Sequence, residues 1–202
     1  MFAIQLGTAS IGGTAGKGVV FSVDTNGSNF ATLHSFTNTD GQTPLGPLVL
    51  AGNTLYGTAS GGGTWGGGTV FSLSTDGTGF TMLHSFAGGN AGAQPTGALA
   101  LSRDTIYGVT VAGGYAPYGG NGTVFSLSFT PQLTIIPSAG NVIVTWPTNY
   151  AGFDYTGYTL QSTTNLVAPT WTTNSAAPVV VNSQNTVTNP ISSTQQFFRL
   201  SQ

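Results

Sequence analysis

The stretch that decides the fold is GTVFSLSTDGTGFTMLHSF, residues 68–86. The Asp76-Gly77 pair separates two short strand candidates, TVFSLS and FTMLHSF. An Asp-Gly pair supplies the positive-φ residues that reversing strands require. The stretch therefore predicts an antiparallel β-hairpin.

The same hairpin occurs more than once along the chain. Residues 18–36 read GVVFSVDTNGSNFATLHSF, with an Asn-Gly turn, and residues 122–130 repeat the first half of the motif as GTVFSLSFT. The histidines of the two complete copies, His34 and His84, are 50 residues apart. Self-similarity at a fixed period of this length is the signature of a repeat architecture.

Two further strands precede each hairpin. TPLGPLVLAGNTLYG (residues 43–57) returns as QPTGALALSRDTIYG (residues 94–108). Four strands in about 50 residues is the pattern of a β-propeller blade. Residues 1–130 therefore predict a partial, propeller-like array of about two and a half four-stranded units.

The first and last units are incomplete. Residues 4–10 occupy a second-strand position, and residues 122–128 occupy a third-strand position with no fourth strand after them. Three arrangements fit this pattern: a fragment of a longer parent chain, completion of the sheets by another copy, or an open array with covered ends. Exposed strand edges are templates for pairing, so we expect a homo-oligomer, a filament or a larger parent chain.

The motif G-x-V-F-x-x-x-x-x-G-x-x-F-x-x-L-H-x-F is present twice in full, and residues 4–129 resemble the tandem repeat named GloVer. That repeat occurs in predicted bacterial surface proteins that end in varied anchor domains. The resemblance implies surface location and repeat architecture. It supplies no catalytic residues.

Beyond residue 130 the composition shifts toward Thr, Asn and Val. Seven short strand candidates separated by turn residues predict a small β-sandwich over residues 131–202. The candidates are residues 132–136, 141–146, 157–165, 170–175, 178–183, 185–190 and 195–201. This region is similar to a C-terminal module of the same surface proteins and loosely resembles a fibronectin type III or immunoglobulin-like domain.

The composition narrows the function classes. Charged residues make up 4% of the chain, with three cations and five Asp, so no basic groove for nucleic acid forms. There is no Cys for a disulfide or a thiolate metal site, and no apolar run approaches a membrane span. These features favour an extracellular or cell-surface bacterial protein without a cofactor or metal.

No catalytic constellation is evident in the sequence. His34 and His84 hold equivalent positions in TLHSF, which indicates a structural role in which each bonds a local backbone group. Asp24 in DTNGSN suggests at most a weak calcium site, because the second repeat has Ser74 there. Asp154 is a lone acid, whereas glycoside hydrolysis needs a facing pair.

Three glycine-rich loops present different residues at their tips. The loops are IGGTAGKG (11–18), GGGTWGGG (61–68) and AGGYAPYGGNG (112–122), and we interpret the tips as Lys17, Trp65, and Tyr115 with Tyr118. The aromatic tips either cap a neighbouring unit, contact another subunit or form a platform for sugar rings. Packing or subunit contact is the favoured interpretation.

The sequence thus predicts an all-β, non-enzymatic structural or adhesive protein that displays repeats or self-assembles through β edges and aromatic loops. The alternative is a carbohydrate-binding surface module that uses Trp65, Tyr115 and Tyr118, with cell-surface polysaccharide as its partner. An enzyme is the third hypothesis.

Overall fold

The computed structural model describes residues 3–114, 120–174, 176–191 and 195–202. Antiparallel strands dominate these residues, and the helical segment found among them is a single 3-10 turn at Gly89–Ala91. The all-β fold class is confirmed. The chain divides into two compact units, Met1–Ser128 and Phe129–Gln202, whereas the sequence analysis placed the division after residue 130.

The first unit is built from three antiparallel sheets, one for each repeat. The strands are β1 (Ile4–Ala9), β2 (Val19–Asp24), β3 (Ala31–Ser35), β4 (Val49–Ala51), β5 (Thr54–Ala59), β6 (Thr69–Ser74), β7 (Thr81–Ser85), β8 (Ala93–Pro95), β9 (Ala100–Ser102), β10 (Thr105–Ala112) and β11 (Val124–Ser128). Sheet 1 has the order β1-β2-β3, sheet 2 has β4-β5-β6-β7, and sheet 3 joins β9, β10 and β11. Strand β8, which the sequence analysis did not predict, pairs with the end of β10.

The hairpins predicted from the Asn-Gly and Asp-Gly turns are present. Gly27 N donates to Asp24 O at 2.8 Å, and Gly77 N donates to Ser74 O at 2.9 Å. In both hairpins the register shifts at the same place, after the valine that precedes the motif phenylalanine. The first two repeats therefore share the same local irregularity in the first strand of the hairpin.

The core of the first unit lies between successive sheets. Val20 and Phe36 of sheet 1 are fully buried in one cluster with Phe71 and Leu73 of sheet 2. Phe36 meets Phe71 edge-on, with ring centroids 5.2 Å apart. Sheets 2 and 3 repeat the contact, since Phe86 meets Phe125 at 5.0 Å.

A glycine in the strand before each motif phenylalanine makes room for the aromatic ring. Gly57 pairs directly with Phe71, and a Cβ atom at Gly57 would lie 2.5 Å from the Phe71 ring. Gly7 and Gly108 hold the same position beside Phe21 and Phe125. The repeated Gly thus has a packing reason, which is that any side chain would displace the ring.

The second unit contains two further antiparallel sheets and a short hairpin. Its strands are β12 (Thr134–Ser138), β13 (Asn141–Pro147), β14 (Asn149–Tyr150), β15 (Phe153–Asp154), β16 (Thr159–Thr163), β17 (Thr172–Thr173), β18 (Val179–Val181), β19 (Gln184–Pro190) and β20 (Phe197–Ser201). The sheet orders are β12-β13-β19-β18 and β17-β16-β20, with β14-β15 as the hairpin. All seven predicted strands are present, and the hairpin was not anticipated.

The core of the second unit centres on Trp146, which is fully buried. Its indole Nε1 donates to Tyr155 O at 3.4 Å, and Asn185 Nδ2 donates to the same carbonyl at 3.4 Å. Val144 and Leu160, from different sheets, are buried as well. No helix in the described part of the chain is both long enough and apolar enough to cross a membrane.

Candidate functional site

The glycine-rich loop of the second repeat has a fixed backbone. Gly68 N donates to Gly62 O at 3.0 Å, and Gly66 N donates to Gly63 O at 3.3 Å. Gly68 has a φ of +101°, and a Cβ there would lie 2.6 Å from Ala59 O. Glycine is therefore required at this position for both conformational and steric reasons. The loop has a defined shape although its sequence is mostly glycine.

Trp65 lies at the tip of this loop, and 68% of its surface is exposed. Of the three alternatives for Trp65, the one in which the ring folds back to cap a neighbouring unit does not fit this exposure, because such a cap would bury the ring. Ser85 Oγ accepts a hydrogen bond from the Trp65 backbone N at 3.4 Å. The backbone is thus attached to strand β7 while the indole faces solvent.

The residue equivalent to Trp65 in the first loop is Ala15, not Lys17 as the sequence analysis proposed. Gly16 N donates to Gly13 O as Gly66 N donates to Gly63 O, which sets the two loops in register. Lys17 corresponds to Gly67, because the backbone carbonyl of each residue accepts a hydrogen bond from a backbone N–H in the connection to the next repeat. The error arose because the glycine spacing alone does not define the loop register.

The two other predicted tip residues, Tyr115 and Tyr118, lie outside the described residues. Their distance from Trp65 is therefore not described.

An open groove of about 690 Å³ lies beside the Trp65 ring. Three segments form it: the connection from sheet 1 to sheet 2, the tryptophan loop, and the connection from sheet 2 to sheet 3. The lining side chains used below are Gln42, Leu45, Ser60, Trp65, Gln94 and Thr96. None of the described residues that line the groove is ionisable.

The backbone that carries these side chains is tied to the loop. Gln42 and Gly61 exchange two hydrogen bonds, of 2.7 Å from Gln42 N and 3.1 Å from Gly61 N. Gln94 N donates to Gly67 O at 2.8 Å. Both glutamines are therefore fixed at Cα, while their side-chain amides make no hydrogen bond to the residues that the structure describes.

His34 lies at the contact between sheets 1 and 2. Its Nε2 atom hydrogen-bonds Asp40 Oδ2 at 3.0 Å, and its ring stacks on Phe80 with centroids 3.6 Å apart. The expected backbone partner was thus wrong, because a carboxylate takes that place. Burial lowers the pKa of His34, and the charge and hydrogen bond of Asp40 oppose this shift.

His84 lies at the equivalent position in the second repeat but lacks the carboxylate. No acidic residue occurs between His84 and β9, and burial lowers the pKa of His84. The ring of His84 meets Phe86 edge-on at 4.6 Å. The two histidines take part in separate contacts and do not form a common site.

The candidate acids are engaged in local turns. Asn29 Nδ2 donates to Asp24 Oδ2 at 2.8 Å, and Thr78 N donates to Asp76 Oδ1 at 2.9 Å. Asp154 Oδ1 accepts a hydrogen bond from Thr156 N at 2.9 Å. Hydrogen bonds from Thr78 and Thr156 lower the pKa values of Asp76 and Asp154. In the described ranges, no three His, Cys, Asp or Glu side chains are grouped to hold a metal ion.

One position shows how each sheet is covered by the next. Val20 and Val70 follow the glycine of the repeat motif, and both are 0% exposed. Val20 is buried in the cluster that sheet 1 forms with sheet 2. Val124, at the same position in sheet 3, is 81% exposed. Among the described residues, no strand pairs with β11 on the side that β3 and β7 occupy in the first two sheets, and no further repeat sheet follows, so this position is open in sheet 3.

The opposite end of the array has a matching open face. Phe80 lies between Phe71 and His34, with ring centroids 5.7 Å and 3.6 Å away. Its equivalent in the first repeat, Phe30, stacks on Phe21 at 5.4 Å and is 62% exposed. In the second repeat, His34 stacks on the face of Phe80 opposite Phe71. The equivalent face of Phe30 is the one opposite Phe21.

The family of the chain follows from the sequence match. No curated protein matches the chain. The family model described as the Gloeobacter/Verrucomicrobia repeat matches residues 5–174, which covers most of the 202 residues and spans the three equivalent sheets and part of the second unit. The chain therefore belongs to this bacterial repeat family.

Proposed function

We propose that this chain is a non-enzymatic structural and adhesive protein of the bacterial cell surface or extracellular space. Its repeats assemble with further repeats through the two open sheet faces. The observation that carries this proposal is the exposure of Val124, compared with complete burial of Val20 and Val70 at the same position.

The assembly follows from the direction of stacking within the chain. Sheet 1 presents one face to sheet 2, and sheet 2 presents the same face to sheet 3. The two end faces therefore correspond to the two sides of an internal contact between sheets. The face that carries Val124 would meet the face that carries Phe21 and Phe30 in the same way. A head-to-tail contact of this type gives a closed ring or an open filament.

A closed propeller is one product of such stacking. Two chains supply six sheets, which lies within the usual range of four to eight blades. In a longer parent chain, additional repeats would cover the same two faces. Burial of one valine side chain stabilises a contact by roughly 1.5 kcal/mol or more, so several apolar residues on each face give a substantial driving force.

The composition supports the surface location. A chain with 4% charged residues and no cysteine depends on hydroxyl, amide and backbone groups for its solubility. The second unit, with Trp146 in its core and an aromatic pair in β20, fits a small fibronectin- or immunoglobulin-like sandwich. The Asp side chains in local turns give no support to a hydrolytic function.

The experiment that tests the proposal compares two exposed valines. Val124→Lys places a charge on the open face of sheet 3, and Val167→Lys places one at a valine in the second unit that is 97% exposed. We expect light scattering to give a multiple of the chain mass for the wild type and the Val167→Lys control. The Val124→Lys variant should be a monomer. A monomeric wild type, or an assembly that tolerates Val124→Lys, contradicts the proposal.

A second candidate function is binding of cell-surface polysaccharide through the loop aromatics. The exposed indole of Trp65 beside an open polar groove favours it. Binding to immobilised polysaccharides, compared between the wild type and Trp65→Ala, tests this function.

A further inference from the structure

We infer that the groove beside Trp65 binds one uncharged oligosaccharide chain, with a sugar ring stacked on the indole and its hydroxyl groups bonded to Gln42 and Gln94. This inference rests on the second proposed function, glycan binding, and specifies its site and the chemical class of its ligand.

The groove has the size and openness of such a site. Its volume of about 690 Å³ lies within the range of roughly 300–1,000 Å³ that small-ligand sites occupy. It is open to solvent, and two successive repeat connections contribute to its lining. A chain of linked sugars needs an open site because its remaining units extend beyond it.

Trp65 supplies the apolar platform. A pyranose ring has a face of C–H groups and an edge of hydroxyl groups, which matches an aromatic face surrounded by polar groups. The backbone of the loop is held by hydrogen bonds from Gly66, Gly67 and Gly68. Binding therefore orders one side chain with two rotatable bonds instead of a whole loop, which keeps the entropic cost small.

The two glutamines supply the polar contacts. Each side-chain amide has a carbonyl acceptor and two N–H donors, which suits the neighbouring hydroxyl groups of a sugar. The amides of Gln42 and Gln94 lie on opposite sides of the tryptophan loop in the sequence and have no hydrogen-bond partner within the described residues. Thr96 adds a hydroxyl group to the lining.

The absence of charge in the lining defines the class of glycan. A uronic acid or a sulfated sugar needs a cation to replace its hydration and balance its charge. Among the described residues, no Lys, Arg or His lines the groove. The lining favours neutral hexose or pentose chains over anionic ones.

The first repeat supplies a natural control for the key substitution. Its loop has Ala15 at the position of Trp65 and makes the same internal hydrogen bond, from Gly16 N to Gly13 O at 3.2 Å. Trp65→Ala therefore reproduces a loop that this fold already contains. Tyr150→Ala removes an exposed aromatic residue of the second unit, outside the groove, and serves as the matched control.

The experiment titrates the full chain with cellohexaose, mannohexaose, xylohexaose and hexagalacturonate by calorimetry, with tryptophan fluorescence in parallel. We expect at least one neutral hexasaccharide to bind and to shift the Trp65 emission to shorter wavelength. Trp65→Ala should weaken this binding at least tenfold. Gln42→Ala and Gln94→Ala should each weaken it severalfold, and Tyr150→Ala should leave it unchanged.

The other outcomes separate the inference from the function on which it rests. Binding of hexagalacturonate alone, or neutral binding that Trp65→Ala does not weaken, overturns this site and leaves glycan binding in place. No binding of these sugars or of immobilised polysaccharides overturns both. A lower assembly mass for Trp65→Ala by light scattering assigns Trp65 to a subunit contact and also overturns the inference.

Discussion

The imidazole ring of His34 lies flat on the ring of Phe80, with centroids 3.6 Å apart and planes inclined by 7°. His34 belongs to the first repeat and Phe80 to the second, so the stack joins two successive sheets. Phe80 also stacks on Phe71 of its own sheet, with ring centroids 5.7 Å apart. One phenylalanine thus links its own hairpin to the preceding repeat.

This link predicts unequal effects at equivalent phenylalanines. Phe80→Ala removes ring contacts with His34 and Phe36 of the preceding sheet and one with Phe71 of its own sheet, and should lower the free energy of unfolding by about 2–3 kcal/mol. Phe30→Ala removes one ring contact from a residue that is mostly exposed and should cost about 1 kcal/mol or less. Urea unfolding of both variants measures the difference. Equal losses would show that the stack does not stabilise the repeat interface.

The histidines predict a dependence of stability on pH. Burial lowers the folded-state pKa of His34 and His84 below the ordinary value of 6.5. The unfolded chain therefore binds more protons than the folded chain as the pH falls through 6.5, and stability decreases in that direction. The loss ends once the pH lies below the folded-state pKa values.

Thermal unfolding between pH 7.5 and pH 5 measures this effect. The range lies above the ordinary pKa of Asp, so carboxylates contribute little to the change. The double variant His34→Gln/His84→Gln should show a flatter dependence of Tm on pH than the wild type. An unchanged slope would assign the dependence to other groups.

Thr58 predicts a stabilising substitution. Its Oγ1 atom is buried and has no hydrogen-bond partner within the described residues, whereas the equivalent Thr8 hydroxyl donates to Gly46 O at 3.4 Å. Sheet 3 has Val109 at the same position. Thr58→Val removes an unsatisfied group with little change in shape and should stabilise the chain by about 1 kcal/mol. Thr8→Val is the control, and a loss of stability in Thr58→Val would show that the hydroxyl has an unseen partner.

Much of the strand pattern could be predicted because its causes are local. Asn26-Gly27 and Asp76-Gly77 define the hairpin turns. The repeat period near 50 residues shows which strands of the successive sheets are equivalent. The seven strands of the second unit followed from the same turn and alternation signals. The hairpin β14-β15 was missed because each of its strands has two residues, too few for a period to be visible.

The contacts between repeats could not be predicted, because they depend on how sheets stack. The stack of His34 on Phe80 joins residues 46 positions apart, and no local pattern pairs them. The sequence also left the orientation of the Trp65 ring undetermined. A glycine-rich loop allows an aromatic ring to fold inward or to face solvent, and the hydrogen bonds of its backbone decide between them.

The central claim is that the face of sheet 3 meets the face of sheet 1 of another copy, and crosslinking tests it most directly. The chain has no cysteine, so single thiols placed at Val124→Cys and Phe30→Cys are unambiguous. A bismaleimide with a reach of about 10 Å matches the spacing of stacked sheets. We predict a covalent dimer when the two variants are mixed and none from either variant alone. Dimers from Val124→Cys alone would indicate a face-to-face contact, and no dimer from the mixture would contradict the account.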